Sequence, residues 1–391
     1  MFACTWAQSQ FVLRGRVVSA ATGSPLAAAS VFLSNTSTGT ATDSAGMFSL
    51  LVPQGKYDLV ASYVGYETHA QTISGALTET LIITLKPKAE LLDEVVVGGF
   101  EKDGWDTWGS FFLRSFIGSS DWAADCRIKN YEVIRFRDNK KQRKLVAVAG
   151  DQLVIENEAL GYTIRYQLET FEYDFNTDYL LYTGYPLFTA MEGNRAKQNR
   201  WQKRRQEAYA GSMMEFMRAL YRNRIVQEGY EVRRLVKTPN NEKGRVRELY
   251  KGRVAKDGSI NYNGISGDSM EYYRSVLRQP DQLATYSPYT VLGDSIAYRV
   301  DSVTAGLEFS NYLYVLYTKA SPPGSYQRLS PHNKKMMSEM MLVEGQPIQI
   351  QSNGSFYPPS NMLTLGFWAW SEKISSMLPF DYRPPPAAIP E

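Results

Sequence analysis

The sequence predicts a mostly β protein with some α structure, in which a small antiparallel β-sandwich precedes a larger, β-rich α+β domain. Short runs of alternating apolar and polar residues recur along the chain between Gly and Pro residues, a spacing typical of antiparallel sheets. Aromatic residues make up 13 % of the sequence and include 26 Tyr, which favours strands. Over residues 195–228 the apolar spacing changes to three and four, which predicts one long helix that is both basic and amphipathic.

Chain length and composition indicate two folded domains. The 391 residues exceed the usual size of one domain, and 43 % hydrophobic with 21 % charged residues is typical of a folded protein. The 43 Lys and Arg residues nearly balance the 40 Asp and Glu residues, so the net charge of +3 provides no general attraction for nucleic acid. Two Cys and two His are too few for a disulfide scaffold or a multi-histidine metal centre. We therefore predict neither a nucleic-acid partner nor a cofactor.

The first residues of the chain have the pattern found at the end of a secretory signal peptide. Residues 1–8 are small and apolar as far as Ala7, which favours cleavage there and export to the periplasm or outer membrane. Lipidation of Cys4 and an ordinary intracellular N-terminus are the competing interpretations. No apolar run approaches the roughly 20 residues of a membrane helix, so any membrane association is expected to be peripheral.

Residues 9–97 contain the predicted sandwich. From Phe11 onward, apolar residues alternate with polar ones such as Arg14 and Arg16, and turn residues follow each short run. The regular spacing of strands and turns predicts two packed antiparallel sheets. The strands are predicted around residues 11–17, 31–33, 47–52, 57–64 and 81–85.

Several short motifs make this region resemble a known family. They are Gly15-Arg16-Val17-Val18, Gly23-Ser24-Pro25-Leu26, residues 42–48, residues 53–57 and Val64-Gly65-Tyr66. In these motifs, residues 9–97 resemble the carboxypeptidase regulatory-like domain, which has a transthyretin-like fold and is non-catalytic. In Gram-negative envelopes this domain precedes TonB-dependent nutrient receptors. The resemblance implies a binding module with an envelope protein as its partner.

A short β-branched segment lies at the end of this resemblance. Glu94, Val95, Val96 and Val97 precede Gly98-Gly99, and the similar segment of the receptors is captured by a TonB protein through strand addition. The resemblance implies that these four residues bind a partner in the same way. The residues themselves also fit the last strand of the sandwich or a linker, because short apolar runs are common in both.

A linker over residues 98–106 leads to a β-rich domain over residues 107–382, and a proline-rich tail follows over residues 383–391. One long run alternates from Tyr162, and the alternation resumes one residue out of phase at Phe171, which predicts a bulge or turn between them near residues 169–170. This domain is similar to uncharacterised envelope proteins, a resemblance that implies no activity. Further strands are predicted over residues 131–136, 145–149, 307–317 and 340–350.

The long helix predicted over residues 195–228 is basic in its first half and apolar on one side of its second half. The apolar stripe is formed by Met213, Phe216, Met217 and Leu220. The basic half suggests binding to an anionic surface such as phosphate or lipid headgroups. A solvated face that is partly paired with acidic neighbours is the simpler interpretation. The basic residues proposed for binding are Arg200, Lys203, Arg204 and Arg205.

The sequence contains no recognisable catalytic or metal-binding motif. His69 and His332 lack the neighbouring Glu and the spacing of a zinc carboxypeptidase, and no nucleophile elbow, phosphate loop or dinucleotide fingerprint occurs. Paired carboxylates that are brought together by the fold remain open as catalytic groups. Trp368 and Trp370 are candidates for stacking on sugar rings, with core packing as the alternative.

These observations leave three functional hypotheses. The first is a non-catalytic, exported cell-envelope protein that acts by protein–protein interaction within an outer-membrane receptor or secretion assembly. The second is a glycan-binding module that is accessory to nutrient uptake. The third is an enzyme of unrecognised type, which would need clustered carboxylates in a cleft.

Overall fold

The computed structural model describes residues 10–75, 80–88, 99–249, 267–330, 332 and 334–385. The predicted signal remnant over residues 1–8, including Cys4, lies outside the described residues. The same holds for Glu94, Val95, Val96 and Val97, and for the end of the predicted tail over residues 386–391.

Two small sheets form the N-terminal sandwich and confirm the fold predicted for this region. Their strand orders are β4-β1-β7 and β3-β2-β5-β6. The inner faces meet in a core that includes Leu13, Leu59 and Ile83. One pairing differs from the antiparallel prediction. The chain passes from β6 in the second sheet back to the first sheet, where β7 lies parallel to β1. The strands are β1 (Gln10–Ser19), β2 (Ser30–Leu33), β3 (Gly39–Ala41), β4 (Met47–Pro53), β5 (Lys56–Ser62), β6 (His69–Ser74) and β7 (Leu81–Leu85).

Gly46 explains one of the motifs on which the resemblance rests. Its φ of +73° lies in the left-handed region, and a Cβ at this position would be 2.6 Å from the carbonyl oxygen of Val17. Only glycine fits both constraints without strain. The turn before β4 therefore depends on this residue, and Phe48 enters the core directly after it.

A six-stranded sheet follows the sandwich. Its order is β8-β11-β12-β10-β9, with β13 paired to β12. Helix α1 (Gly104–Phe116) packs Phe112 and Phe116 into the core of this sheet. Because this helix begins at Gly104, the end of the linker predicted over residues 98–106 is already helical. The register of β12 and β13 shifts between Leu168 and Thr170, which confirms the predicted bulge. The strands are β8 (Cys126–Ile128), β9 (Ile134–Asn139), β10 (Lys144–Ala149), β11 (Leu153–Asn157), β12 (Tyr162–Asp174) and β13 (Tyr179–Ala190).

The predicted long helix is wrong in its continuity, because the structure has two helices there. Helix α2 (Arg195–Tyr209) carries the basic residues, and helix α3 (Met213–Tyr221) carries the apolar stripe. Between them Gly211 has a φ of +75°, and the Ser212 hydroxyl caps the second helix by accepting a hydrogen bond from the Glu215 N–H. A left-handed residue and a new N-cap end one helix and start another.

The remaining residues form two further sheets around a second large core. The five-stranded sheet has the order β15-β14-β18-β19-β22, and the four-stranded sheet has the order β16-β17-β20-β21. Two predicted strands, over residues 307–317 and 340–350, are each divided between these sheets. The strands are β14 (Tyr230–Pro239), β15 (Gln282–Thr290), β16 (Ala297–Arg299), β17 (Thr304–Leu307), β18 (Tyr312–Tyr317), β19 (Met336–Leu342), β20 (Ile348–Gln351), β21 (Phe356–Tyr357) and β22 (Met362–Gly366). The helices are α4 (Asn241–Leu249), α5 (Gly267–Arg278), α6 (Gly324–Leu329) and α7 (Phe367–Ser371).

The sandwich is fixed to the six-stranded sheet through one outer face. Phe32 and Val60 on the β3-β2-β5-β6 sheet pack against Leu187 of β13. Main-chain hydrogen bonds join Asn35 to Pro186 and Thr36 to Phe188 across the same junction. The outer face of this sheet is therefore covered by the rest of the protein.

A C-terminal strap, residues 374–382, connects all three parts of the fold. Ile374 and Leu378 lie in the core of the six-stranded sheet. The Phe380 N–H donates to the Asn35 carbonyl, and the Asp381 carboxylate accepts a hydrogen bond from the Ser37 N–H at 3.1 Å. The strap thus ends on the sandwich.

Arg218 of helix α3 holds this strap from the other side. Its side chain is 1 % exposed and donates to the carbonyl oxygens of Phe380 and Tyr382 at 3.1 Å and of Asn353 at 2.8 Å. All three acceptors are main-chain groups that lie far from Arg218 in sequence. A buried guanidinium therefore links helix α3, the loop after β20 and the strap.

We expect Arg218→Met to lower the free energy of unfolding by about 3 kcal/mol or more, because the change leaves buried carbonyl groups without donors. Equilibrium denaturation in urea measures the effect. The matched control is Arg222→Met, one turn along and exposed, which should change the stability by less than about 0.5 kcal/mol. Equal effects of the two substitutions would contradict the role assigned to Arg218.

Candidate functional site

The four basic residues proposed for an anionic surface have different environments. Arg204 forms an ion pair with Asp125 at 3.0 Å. Arg205 donates to the carbonyl oxygens of Leu160 and Gly161 and lies 3.9 Å from the centre of the Tyr162 ring. Both side chains are therefore engaged in internal contacts.

Arg200 and Lys203 are exposed on helix α2, and Lys203 lies 4.0 Å from Glu207. An ion pair of this length at an exposed site contributes little to stability. Binding of an anionic surface by Arg200 and Lys203 stays a prediction.

The two candidate sugar-stacking residues also differ. Trp368 is 1 % exposed, donates its indole N–H to the Gly211 carbonyl at 2.9 Å and packs on Phe216. A side chain that is enclosed in this way has no face for a ligand. The prediction is therefore wrong for Trp368, which packs in the core.

Trp370 lies on the wall of a cleft of about 360 Å³, which we call the Trp370 cleft. Its ring is held by Tyr326 and Phe367, with ring centres 5.0 and 5.7 Å away, and its indole N–H donates to the Ser119 hydroxyl. Helix α7 places the ring there, after a turn at Gly366 with a φ of +74°. The cleft is also lined by Asp121, Trp122, Glu207, Ser371 and Glu372.

Two polar groups of the Trp370 cleft lie at the end of helix α7. The Glu372 carboxylate accepts a hydrogen bond from the Met213 N–H at 2.9 Å, and burial raises the pKa of this carboxyl above its ordinary value. The Ser371 hydroxyl is buried and has no hydrogen-bond partner within the described residues. The sequence carried no signal for either role, because both depend on how helix α7 meets helix α3.

A second candidate surface is the outer face of the β4-β1-β7 sheet, which we call the sandwich face. Val12 and Leu51 are directly opposite in register, and Arg16 lies between Met47 and Ile82. The apolar side chains are well exposed, at 47 % for Val12, 38 % for Met47, 52 % for Leu51 and 68 % for Ile82. Arg14 and Arg16 are exposed among them, and the outward residues of these three strands include no Asp or Glu. This surface is thus both apolar and basic.

Besides the three carboxylates on the Trp370 cleft, Asp121, Glu207 and Glu372, the described part of the chain contains one buried thiol, that of Cys126. Burial and the neighbouring Asp125 raise the pKa of Cys126 to about 12, so its thiol is not ionised at neutral pH. Within the described ranges, no three His, Cys, Asp or Glu side chains are grouped as ligands for a metal ion. No described helix is both long enough and apolar enough to cross a membrane.

Comparison with known families supports the resemblance of the N-terminal region. Residues 13–97 match the family described as CarboxypepD_reg-like domain. The resemblance to a carboxypeptidase regulatory-like domain is thereby confirmed for this region. The match is to a regulatory-like domain and not to a catalytic family.

The curated relatives are receptors that are much longer than this chain. TonB-dependent receptor SusC from Bacteroides thetaiotaomicron is 36 % identical over 91 residues, which cover 23 % of this chain and 8 % of the receptor. TonB-dependent receptor P39 from Formosa agariphila is 38 % identical over 78 residues, which cover 20 % of this chain and 7 % of the receptor. The chain therefore spans less than a tenth of either receptor.

The solved structures that match include that of a DUF3823 family protein from Parabacteroides merdae. The match covers 48 % of this chain and 84 % of that protein at 10 % identity, with a TM-score of 0.16. A TM-score this low carries no argument about fold or function.

We expect Glu372→Gln to stabilise the protein at neutral pH. Burial raises the pKa of this carboxyl in the folded state, so the folded protein holds the proton more tightly than the unfolded chain. Wild-type stability should therefore rise as the pH falls from neutral, until it levels off below the ordinary Glu pKa of 4.5. Thermal unfolding at several pH values should show the gap between variant and wild type closing in acid.

Glu207→Gln is the control for this experiment, since Glu207 lines the same cleft and its side chain is 51 % exposed. It should show no comparable change with pH. A Glu372→Gln variant that is less stable than wild type at neutral pH would contradict the assigned environment.

Proposed function

We propose that this chain is a non-catalytic, exported cell-envelope protein that binds a partner protein through the sandwich face. The observation that carries the proposal is the asymmetry of the sandwich. One outer face is covered by the six-stranded sheet, whereas the other remains exposed although it is apolar. Exposed contiguous apolar surface of this kind marks interaction sites in folded proteins.

The positive charge of the sandwich face indicates the chemistry of the partner's surface. Arg14 and Arg16 lie among the apolar side chains without carboxylates on the same strands. Complementarity of charge selects partners and their register. The partner is therefore a protein surface that combines apolar side chains with Asp or Glu.

The similarity to TonB-dependent receptors supports the location and the setting. Residues 13–97 match the CarboxypepD_reg-like domain, and stretches of 91 and 78 residues are 36 % and 38 % identical to the two receptors. By analogy with those receptors, we place the chain in the envelope and in nutrient uptake. Capture of residues 94–97 by strand addition belongs to the same proposal.

Site-specific photo-crosslinking in the cells that produce the protein tests the proposal. With benzoylphenylalanine at Ile82, we expect one dominant crosslinked protein, whose crosslinked peptides are apolar and contain Asp or Glu. The combined Arg14→Glu and Arg16→Glu substitutions should weaken this crosslink about tenfold, equal to ~1.4 kcal/mol of binding.

Two controls make the outcome specific. Benzoylphenylalanine at Val226, which is 59 % exposed on another part of the protein, should not capture the same partner. Arg222→Glu with Arg224→Glu, a matched reversal of exposed residues, should leave the Ile82 crosslink unchanged. Equal capture from both positions, or capture of lipid alone at Ile82, would refute the proposal.

A further inference from the structure

The geometry of the Trp370 cleft points to a binding site for a short, neutral saccharide. This inference goes beyond partner binding by the sandwich face, because the cleft is formed by other parts of the chain. Its volume of about 360 Å³ lies at the lower end of the range for small-molecule sites, roughly 300–1,000 Å³. A ligand of one or two rings would fit.

Aromatic rings supply the apolar part of the cleft. Trp122, Phe367 and Trp370 line it, and the Tyr326 ring contacts the Trp370 ring. The contacts with Tyr326 and Phe367, together with the hydrogen bond to Ser119, fix the orientation of the Trp370 ring. A fixed ring binds a flat apolar surface, such as one side of a pyranose ring, with little loss of conformational freedom.

Hydroxyl groups supply the polar part. Ser120, Ser212, Ser321 and Ser371 all line the cleft. The Ser371 hydroxyl is the informative one, because it is buried without a hydrogen-bond partner within the described residues. Buried polar groups in folded proteins are rarely left in this state, so a bound molecule that supplies a hydrogen bond is expected there.

The charges around the cleft favour a neutral ligand. No Lys or Arg belongs to its lining, which gives an anion no partner. Two of its three carboxylates have a cation nearby, since Asp121 pairs with Arg328 at 3.2 Å and Glu207 lies 4.0 Å from Lys203. Glu372 accepts a main-chain hydrogen bond, and burial favours its neutral form by raising its pKa. A cation therefore finds little uncompensated charge, whereas sugar hydroxyls find acceptors.

The test uses the full chain and defined probes. Saturation-transfer NMR and calorimetry are performed with methyl glycosides of glucose, galactose and mannose, with N-acetylglucosamine, and with choline as a cationic probe. We expect at least one neutral sugar to bind and choline not to bind. Ser371→Ala should weaken sugar binding roughly two- to tenfold without loss of stability, because it removes a hydroxyl that has no hydrogen-bond partner among the residues that the structure describes.

Trp370→Ala should abolish measurable sugar binding. If this variant is unstable, Trp370→Phe is measured in its place and should retain part of the binding. Tyr289→Ala and Ser302→Ala are matched controls at exposed positions outside the cleft and should bind as wild type. Absence of binding by every sugar, binding of choline in their place, or sugar binding that survives both Ser371→Ala and Trp370→Ala would overturn the inference.

Discussion

The buried guanidinium of Arg218 is the constraint on which the arrangement of the whole chain depends. It joins helix α3 to the C-terminal strap, and the strap reaches back to Asn35 and Ser37 of the sandwich. Arg218 thus contacts the strap directly, and the sandwich is connected to Arg218 through the strap. Because Arg218 donates to main-chain carbonyls, the link depends on the path of the backbone more than on the identity of the strap residues.

This constraint determines which surfaces remain available. The strap and Leu187 of β13 hold the β3-β2-β5-β6 sheet against the larger part of the protein. The opposite sheet is consequently the side that faces outward, with its apolar and basic residues exposed together. The same strap begins directly after helix α7, which carries Trp370, and it ends on the sandwich. The strap therefore connects the Trp370 cleft to the sandwich.

The sequence was sufficient for local features and insufficient for those that depend on distant contacts. Alternation placed Arg14 and Arg16 opposite the core residues of β1, and a change of phase located the bulge beside Leu168. It could not show that Met47 and Ile82 lie on either side of Arg16, since strand pairing joins positions far apart in the chain. Trp368 and Trp370 look equivalent in sequence, yet they lie two residues apart, roughly half a turn of helix α7. The first is therefore in the core and the second on the cleft.

Hydroxyl-radical footprinting of the protein in native envelopes and after purification tests most directly whether a partner covers the sandwich face. Met47 lies on strand β4 of the sandwich face, directly beside Arg16, and oxidises readily, while Tyr289, 79 % exposed on β15, serves as the reference. We expect Met47 to be protected in the envelope and to become reactive in the purified protein, with Tyr289 reactive in both. Equal reactivity of Met47 in the two preparations would show that nothing covers the sandwich face and would contradict partner binding there.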